Sequence, residues 1–182
     1  AGDDLMKYKY DKLRAMEGRG NGTGIRGRIG IPFGLNMYEN LPFWFTFFTK
    51  LNFEVVLSPE SSRKLYLKGQ RTIPSDTVCY PAKLLHGHVV ALVEKGVDAI
   101  FYPCMSYNFD EHLADNHYNC PVVAYYPDLL AVNIPALSKV KYLHPNLGIH
   151  RPKDFEKKGA KLLADEFGVP KREAVKAIRS RL

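Results

Sequence analysis

The stretch PAKLLHGHVVALVEKGVDAIFY, Pro81 to Tyr102, decides the fold. Ala82, Leu84, Leu85, Val89, Leu92 and Val93 recur at helical spacing, Pro81 suits a first helical turn, and Gly96 is a natural C-terminal stop. The helix so predicted runs almost directly into DAIFY, Asp98 to Tyr102, a short apolar run that reads as a buried strand. A helix that feeds a strand through a two-residue turn is half of a βαβ unit, and such units build parallel sheets.

The same alternation continues on both sides. Upstream, RIGI at Arg28 to Ile31 and FEVVL at Phe53 to Leu57 read as strands. Between them PFWFTFFTKL reads as a strongly apolar helix, with Asn40 as its N-cap, Leu41 and Pro42 in its first turn and its end near Asn52. A short amphipathic helix is expected to start within Ser58 to Ser62 and to stop near Gly69. Downstream, PVVAYY at Pro121 to Tyr126 is expected to be a further buried strand, and VKYLH at Val140 to His144 another. Pro152 to Phe167, closed by Gly168, and Pro170 to Leu182 read as two amphipathic helices. The second, with its short stripe of Ala174, Val175, Ala177 and Ile178, reads as peripheral. The fold class is therefore α/β: a mainly parallel sheet of four to five strands with helices on both faces and a C-terminal helical extension. Residues 1–27 read as a polar, glycine-rich lead or linker, residues 28–150 as an α/β cysteine-bearing domain, and residues 151–182 as helices belonging to that domain or linking it to the next.

With 182 residues, 46% of them hydrophobic, the chain can bury one good core. It has no signal segment and no apolar run long enough to span a membrane, so it is expected to be cytoplasmic and to be an internal piece of a longer protein. The net charge of +7 is unevenly placed. Residues 1–30 carry seven Lys and Arg against four Asp and Glu, residues 150–182 carry ten against five, and the centre carries nine against ten. A neutral centre with basic flanks is the pattern of solvated faces, and argues against nucleic acid as partner. Gly22, Gly24 and Gly27 spell GxGxxG, but they precede the first strand instead of following it, which is the wrong order for a dinucleotide fingerprint. No GxxxxGK[ST], GxSxG or HExxH is present.

The candidate chemistry lies in Cys79, Cys104 and Cys120. Three cysteines without CxxC spacing and without a secretion signal do not make a disulfide framework. They are free thiols, buried small hydrophobes or metal ligands. Cys79 stands two residues before Pro81, at a helix N-terminus, where unsatisfied N–H groups and the helix dipole favour thiolate. Cys104 leaves the strand Asp98 to Tyr102, so both thiols belong at the C-terminal end of a parallel sheet. Cys120, directly before the expected strand at Pro121, would start at the opposite end unless the loop from Ser106 to Asn119 folds back or the strand boundary lies elsewhere. His86 and His88, two apart on a helix, point to different sides. His112 and His117 are loop residues able to offer a fourth ligand. Tyr102, Tyr107, Tyr118, Tyr125 and Tyr126 read as core and rim aromatics that would also suit a thioester or adenine pocket.

The segments IGIPFGLNMYENLPFWFTFFTKLNFEVVLSPESSRKLY (29–66), IPSDTVCYPAKLLHGHVVALVEKGVDAIFYPC (73–104) and DNHYNCPVV (115–123) together resemble one family. It is the cysteine-bearing domain, formerly of unknown function, of CoA-substrate-specific enzyme activases and 2-hydroxyacyl-CoA dehydratase activase-related proteins. The resemblance spans about Arg28 to His150. It is more distantly similar to the iron–sulfur subunits of 2-hydroxyacyl-CoA dehydratases. The resemblance implies an iron–sulfur-binding, electron-accepting domain in CoA-thioester metabolism. Its cofactor would be a [4Fe–4S] cluster, lost in aerobic preparation, and Cys79 and Cys104 fall in contexts like cluster-ligating loops; Cys120 has no clear equivalent in those subunits and is a candidate metal ligand apart from the resemblance. The implied partners are ATPase (activase) domains of the same or a partner chain, and a CoA thioester. Two alternatives stand beside it: a docking module between ATPase domains whose cysteines are structural, and half of a CoA-thioester reductase or dehydratase site.

Overall fold

The computed structural model describes residues 4–17, 22–110, 112 and 115–179. Four strands, β1 (Arg28–Ile31), β2 (Glu54–Leu57), β3 (Ala99–Phe101) and β4 (Lys141–Leu143), form one sheet in the order β2-β1-β3-β4, and every pairing is parallel. Seven helices surround it: α1 (Leu5–Arg14), α2 (Asn36–Lys50), α3 (Arg63–Gly69), α4 (Tyr80–Glu94), α5 (Pro121–Asn133), α6 (Pro152–Phe167) and α7 (Lys171–Arg179). The expected α/β class and parallel sheet are what the chain adopts.

Two sheet positions show that both faces are covered. Gly30 of β1 and Ile100 of β3 are in register and so share a face. A Cβ on Gly30 would meet Leu92 of α4 at 3.2 Å, so α4 lies on that side. The next residue of β3, Phe101, points the other way and packs on Trp44 and Phe48 of α2, with ring centroids 4.7 and 5.0 Å apart. Phe155 of α6 joins the α2 layer against Trp44 and Phe43. Each large apolar side chain so buried contributes about 1.5–3 kcal/mol relative to exposure.

On the α4 face, α3 approaches backbone to backbone. A Cβ on Gly87 would stand 2.0 Å from the Leu65 carbonyl oxygen, and one on Gly69 only 2.3 Å from the Gly87 nitrogen. The paired glycines let the two helices touch, and the contact sets where the N-terminus of α4 comes to rest.

Four expectations change. Residues 121–126 are not a strand but the start of α5. Pro121 occupies its first turn, and Pro127, inside the helix, lacks the N–H that would bond the Val123 carbonyl. The helix is apolar nearly all round, so its periodicity is flat and its β-branched start looks like a strand. Next, α2 begins at Asn36, not after an Asn40 cap: its buried stripe of Met37, Leu41, Trp44, Phe45 and Phe48 runs through Pro42. Tertiary burial here outweighs the capping signal. Third, α7 is no appendage, because Ala174 and Ile178 are fully buried in the core and one terminal nitrogen of Arg26 lies 2.8 Å from both carboxylate oxygens of Glu173. Residues 180–182 of the expected last helix lie outside the described residues. Last, the polar lead contains α1, capped by Asp4, which puts Leu13 into the core. Gly18 to Asn21 of the glycine-rich run lie outside the described residues; Gly24 and Gly27, both at positive φ, turn the chain into β1 without opening a helix.

Candidate functional site

The correction at α5 moves Cys120. Helices α4 and α5 return the chain to the beginnings of β3 and β4, so both start over the C-terminal end of the sheet. Cys79 is the N-cap of α4 and Cys120 the N-cap of α5, each with Pro in the first turn and neither making a side-chain capping bond. Cys104 follows β3 and extends its pairing: its N–H donates to the Pro145 carbonyl, and its own carbonyl accepts from Leu147 N–H. The loop between Cys104 and Cys120 does fold back. Tyr107 and Tyr118 form an antiparallel bridge, Asn119 N–H donates to the Ser106 carbonyl at 3.0 Å, and the Asn119 amide donates to the Met105 carbonyl at 2.8 Å. All three cysteines therefore belong to one end of the sheet.

Their environments differ. Cys79 and Cys120 are exposed, whereas Cys104 is 4% exposed. The Cys104 thiol donates to Asp128 Oδ1 at 3.5 Å, and the same oxygen accepts from His144 Nδ1 at 2.7 Å. Burial first, and then the Asp128 charge, push the Cys104 thiol up to about 12, so it is a protonated thiol in this state. Tyr142 stacks on His144 and donates its hydroxyl to the Pro127 carbonyl, which ties β4 to α5.

Two tyrosines feel these thiols electrostatically, Tyr126 that of Cys79 and Tyr102 that of Cys104. Tyr126 of α5, with its hydroxyl raised to about 12 by burial and then by Cys79, bonds His86 Nε2 at 3.0 Å. The Thr72 hydroxyl donates to the Gly69 carbonyl and so accepts from His86 Nδ1, which makes Tyr126 the donor to Nε2. Tyr102, fully buried and raised by burial and by Cys104 and Tyr126, has a hydroxyl without a hydrogen-bond partner among the described residues. A buried orphan hydroxyl beside a cysteine is a donor whose partner a ligand could supply.

His86 and His88 do point to different sides, each buried on satisfied polar partners, His88 on Ser58 and Ser61. Burial lowers both to about 4, leaving them neutral. His112 and His117 are both aimed at Asp110, at 3.4 and 3.1 Å. Among the described residues no three or more His, Cys, Asp or Glu side chains converge as a group that could hold a metal ion. By kind the donors suit iron–sulfur chemistry, with three thiols at one sheet end and two of them at helix N-termini, but they do not form a closed site.

Asp128, His144 and the Tyr102–Tyr126 pair were not singled out together by sequence reasoning. Asp128 faces Cys104 only because α5 is a helix, and the signal available was Cys120 directly before Pro121, a Pro-led helix start like that of Cys79 two residues before Pro81.

A family model, the CoA enzyme activase uncharacterised domain, matches residues 28–181. Neither curated proteins nor solved structures yield a match.

Proposed function

Since the chain belongs to the CoA enzyme activase uncharacterised domain family, we propose that it works in CoA-thioester metabolism as a thiol-presenting domain, whose Cys79, Cys104 and Cys120 ligate an iron–sulfur cluster completed by a further ligand. The observation that carries this reading is the delivery of all three thiols to one end of the sheet, two of them on helix N-termini. Bound there, such a cluster would accept and pass on single electrons.

The chain's own groups have definite tasks in this reading. The open N-termini of α4 and α5 offer N–H groups and positive dipole ends to the Cys79 and Cys120 sulfurs. Asp128, held by His144, is placed to accept the Cys104 proton when that sulfur becomes a ligand. The unpartnered Tyr102 hydroxyl is a donor near Cys104, and hydrogen bonds to ligand sulfur raise a cluster's potential. The closing ligand is assigned to an added thiol or to another domain, because no converged group exists among the described residues. ATPase domains and a CoA thioester are the proposed partners.

The test is anaerobic reconstitution of the chain with iron, sulfide and a small external thiol, read as iron bound per chain. Wild type is expected to take up iron, and Cys79→Ser, Cys104→Ser and Cys120→Ser each to lose most of it while keeping the far-ultraviolet circular dichroism of the parent. Iron uptake unchanged in all three variants would sink the proposal.

A second reading has one specific observation behind it. Helix α5 leaves Tyr125 and Val132 largely exposed, and with the protonated, buried Cys104 this favours a docking module with structural cysteines. Under that reading no variant binds iron and neither does wild type.

A further inference from the structure

A cavity of about 610 Å³, with Cys104 in its wall, opens at the same end of the sheet. Its walls come from the segment after β3, from the segment after β4 and from the beginning of α6, and its size suits a small-molecule ligand and far exceeds a bare ion. Three of its polar side chains, Ser106, Asn146 and Arg151, are exposed and open to a ligand. The Arg151 guanidinium pairs with no carboxylate among the described residues, and the Ser106 and Asn146 side chains have no hydrogen-bond partner there. His150 shapes the wall: its Nδ1 is closed off from solvent on the Gly148 side of the ring. The His150 ring centroid lies 4.9 Å from that of Tyr107, and a Cβ on Gly148 would stand 2.7 Å from the imidazole, so glycine makes room for it. The acid in the lining, Asp154, is already paired with Lys158 at 2.9 Å, which leaves the wall with a net positive charge from Arg151. Arg151 also begins α6 without a side-chain cap.

We propose that this cavity binds the phosphate group of a small phosphate ester. A fork of guanidinium donors, a hydroxyl and an amide on the walls of one cavity match the several acceptor oxygens of a phosphate. The volume beyond them, walled by Tyr107 and Tyr118, takes the rest of the molecule. The site needs no iron and does not rest on the cluster reading, so its test is run on iron-free chain and fails or succeeds separately from iron uptake.

The experiment is calorimetric titration of that chain with pyrophosphate, ADP and coenzyme A. All three are expected to bind, and Arg151→Ala to weaken each by at least about tenfold, as loss of a charge-assisted bond does. Lys171→Ala, the same loss of charge on another surface, is expected to change affinity by less than about twofold. Arg151 is exposed, so the variant is expected to fold, and Arg151→Lys should recover part of the binding by restoring charge without the fork. Equal affinity for the three probes would make phosphate the whole of the recognition. Tighter ADP and coenzyme A would add an adenosine contact, and tighter coenzyme A alone would add its pantetheine arm; each of these supports the proposal. No binding at millimolar ligand, or equal weakening by Arg151→Ala and Lys171→Ala, overturns it.

Discussion

Cys104 and its two partners differ in what reaches their sulfur. Cys79 and Cys120 are exposed at helix starts, while Cys104 is buried, bonded to Asp128 and pushed up to about 12. Iodoacetamide near neutral pH is therefore expected to modify Cys79 and Cys120 in the folded, iron-free chain and Cys104 only after denaturation. Peptide mapping that finds Cys104 modified as fast as the others would contradict the structure. The buried histidines make a prediction about acid. His86 and His88 are lowered by burial from the ordinary 6.5 to about 4, so the unfolded chain binds more protons between those values. Their stabilising contribution is complete above about pH 6.5 and is lost as the pH falls towards 4. Between about pH 7.5 and 5 each should cost on the order of 2 kcal/mol, and His88→Gln should remove roughly half of the combined slope in urea unfolding. A stability that stays flat across that interval would contradict the burial of both rings.

Helix contacts give two further expectations. Gly87→Ala would push a methyl into the Leu65 carbonyl, and is expected to cost at least about 2 kcal/mol by denaturant unfolding, since that carbonyl is backbone and cannot swing aside. A variant as stable as the parent would mean α3 and α4 are farther apart than they are here. Deleting residues 170–182 removes Ile178 and Ala174 from the core together with the Glu173 partner of Arg26, and should cost more than about 3 kcal/mol. Most elements were legible in the sequence. Apolar spacing and Gly96 located α4, and Gly168, at φ 64, closes α6 with its N–H on the Ala164 carbonyl as its position suggested. The failures have physical causes. Val122, Val123 and two tyrosines favour strand locally, and only packing of Ala124, Tyr126 and Leu130 against the rest of the molecule makes α5 a helix. In α7 the apolar stripe is short, but two alanines and an isoleucine suffice where a neighbouring helix offers Gly159, whose Cβ would stand 3.3 Å from Ile178.

Across the molecule, the parallel topology brings separated cysteines to one end of the sheet. Sequence spacing indicated Cys79 and Cys104 for that end. It misplaced Cys120 because the direction of a segment depends on whether it is strand or helix, and that is decided by tertiary burial. The Asp128–Cys104 bond and the cavity beside it were beyond sequence reading for the same reason: they join segments after two strands to the middle of α5 and the first turns of α6. No helix among the described residues is long and apolar enough to cross a membrane. The claim that unites these features is that the three thiols jointly bind a cluster. It is tested most directly by the Mössbauer spectrum of the wild-type chain reconstituted anaerobically with iron-57, sulfide and an external thiol. The account predicts the valence-averaged iron signal of a four-iron cluster, the nuclearity implied by the family resemblance. A spectrum containing only isolated high-spin iron, or no chain-bound iron at all, would contradict it.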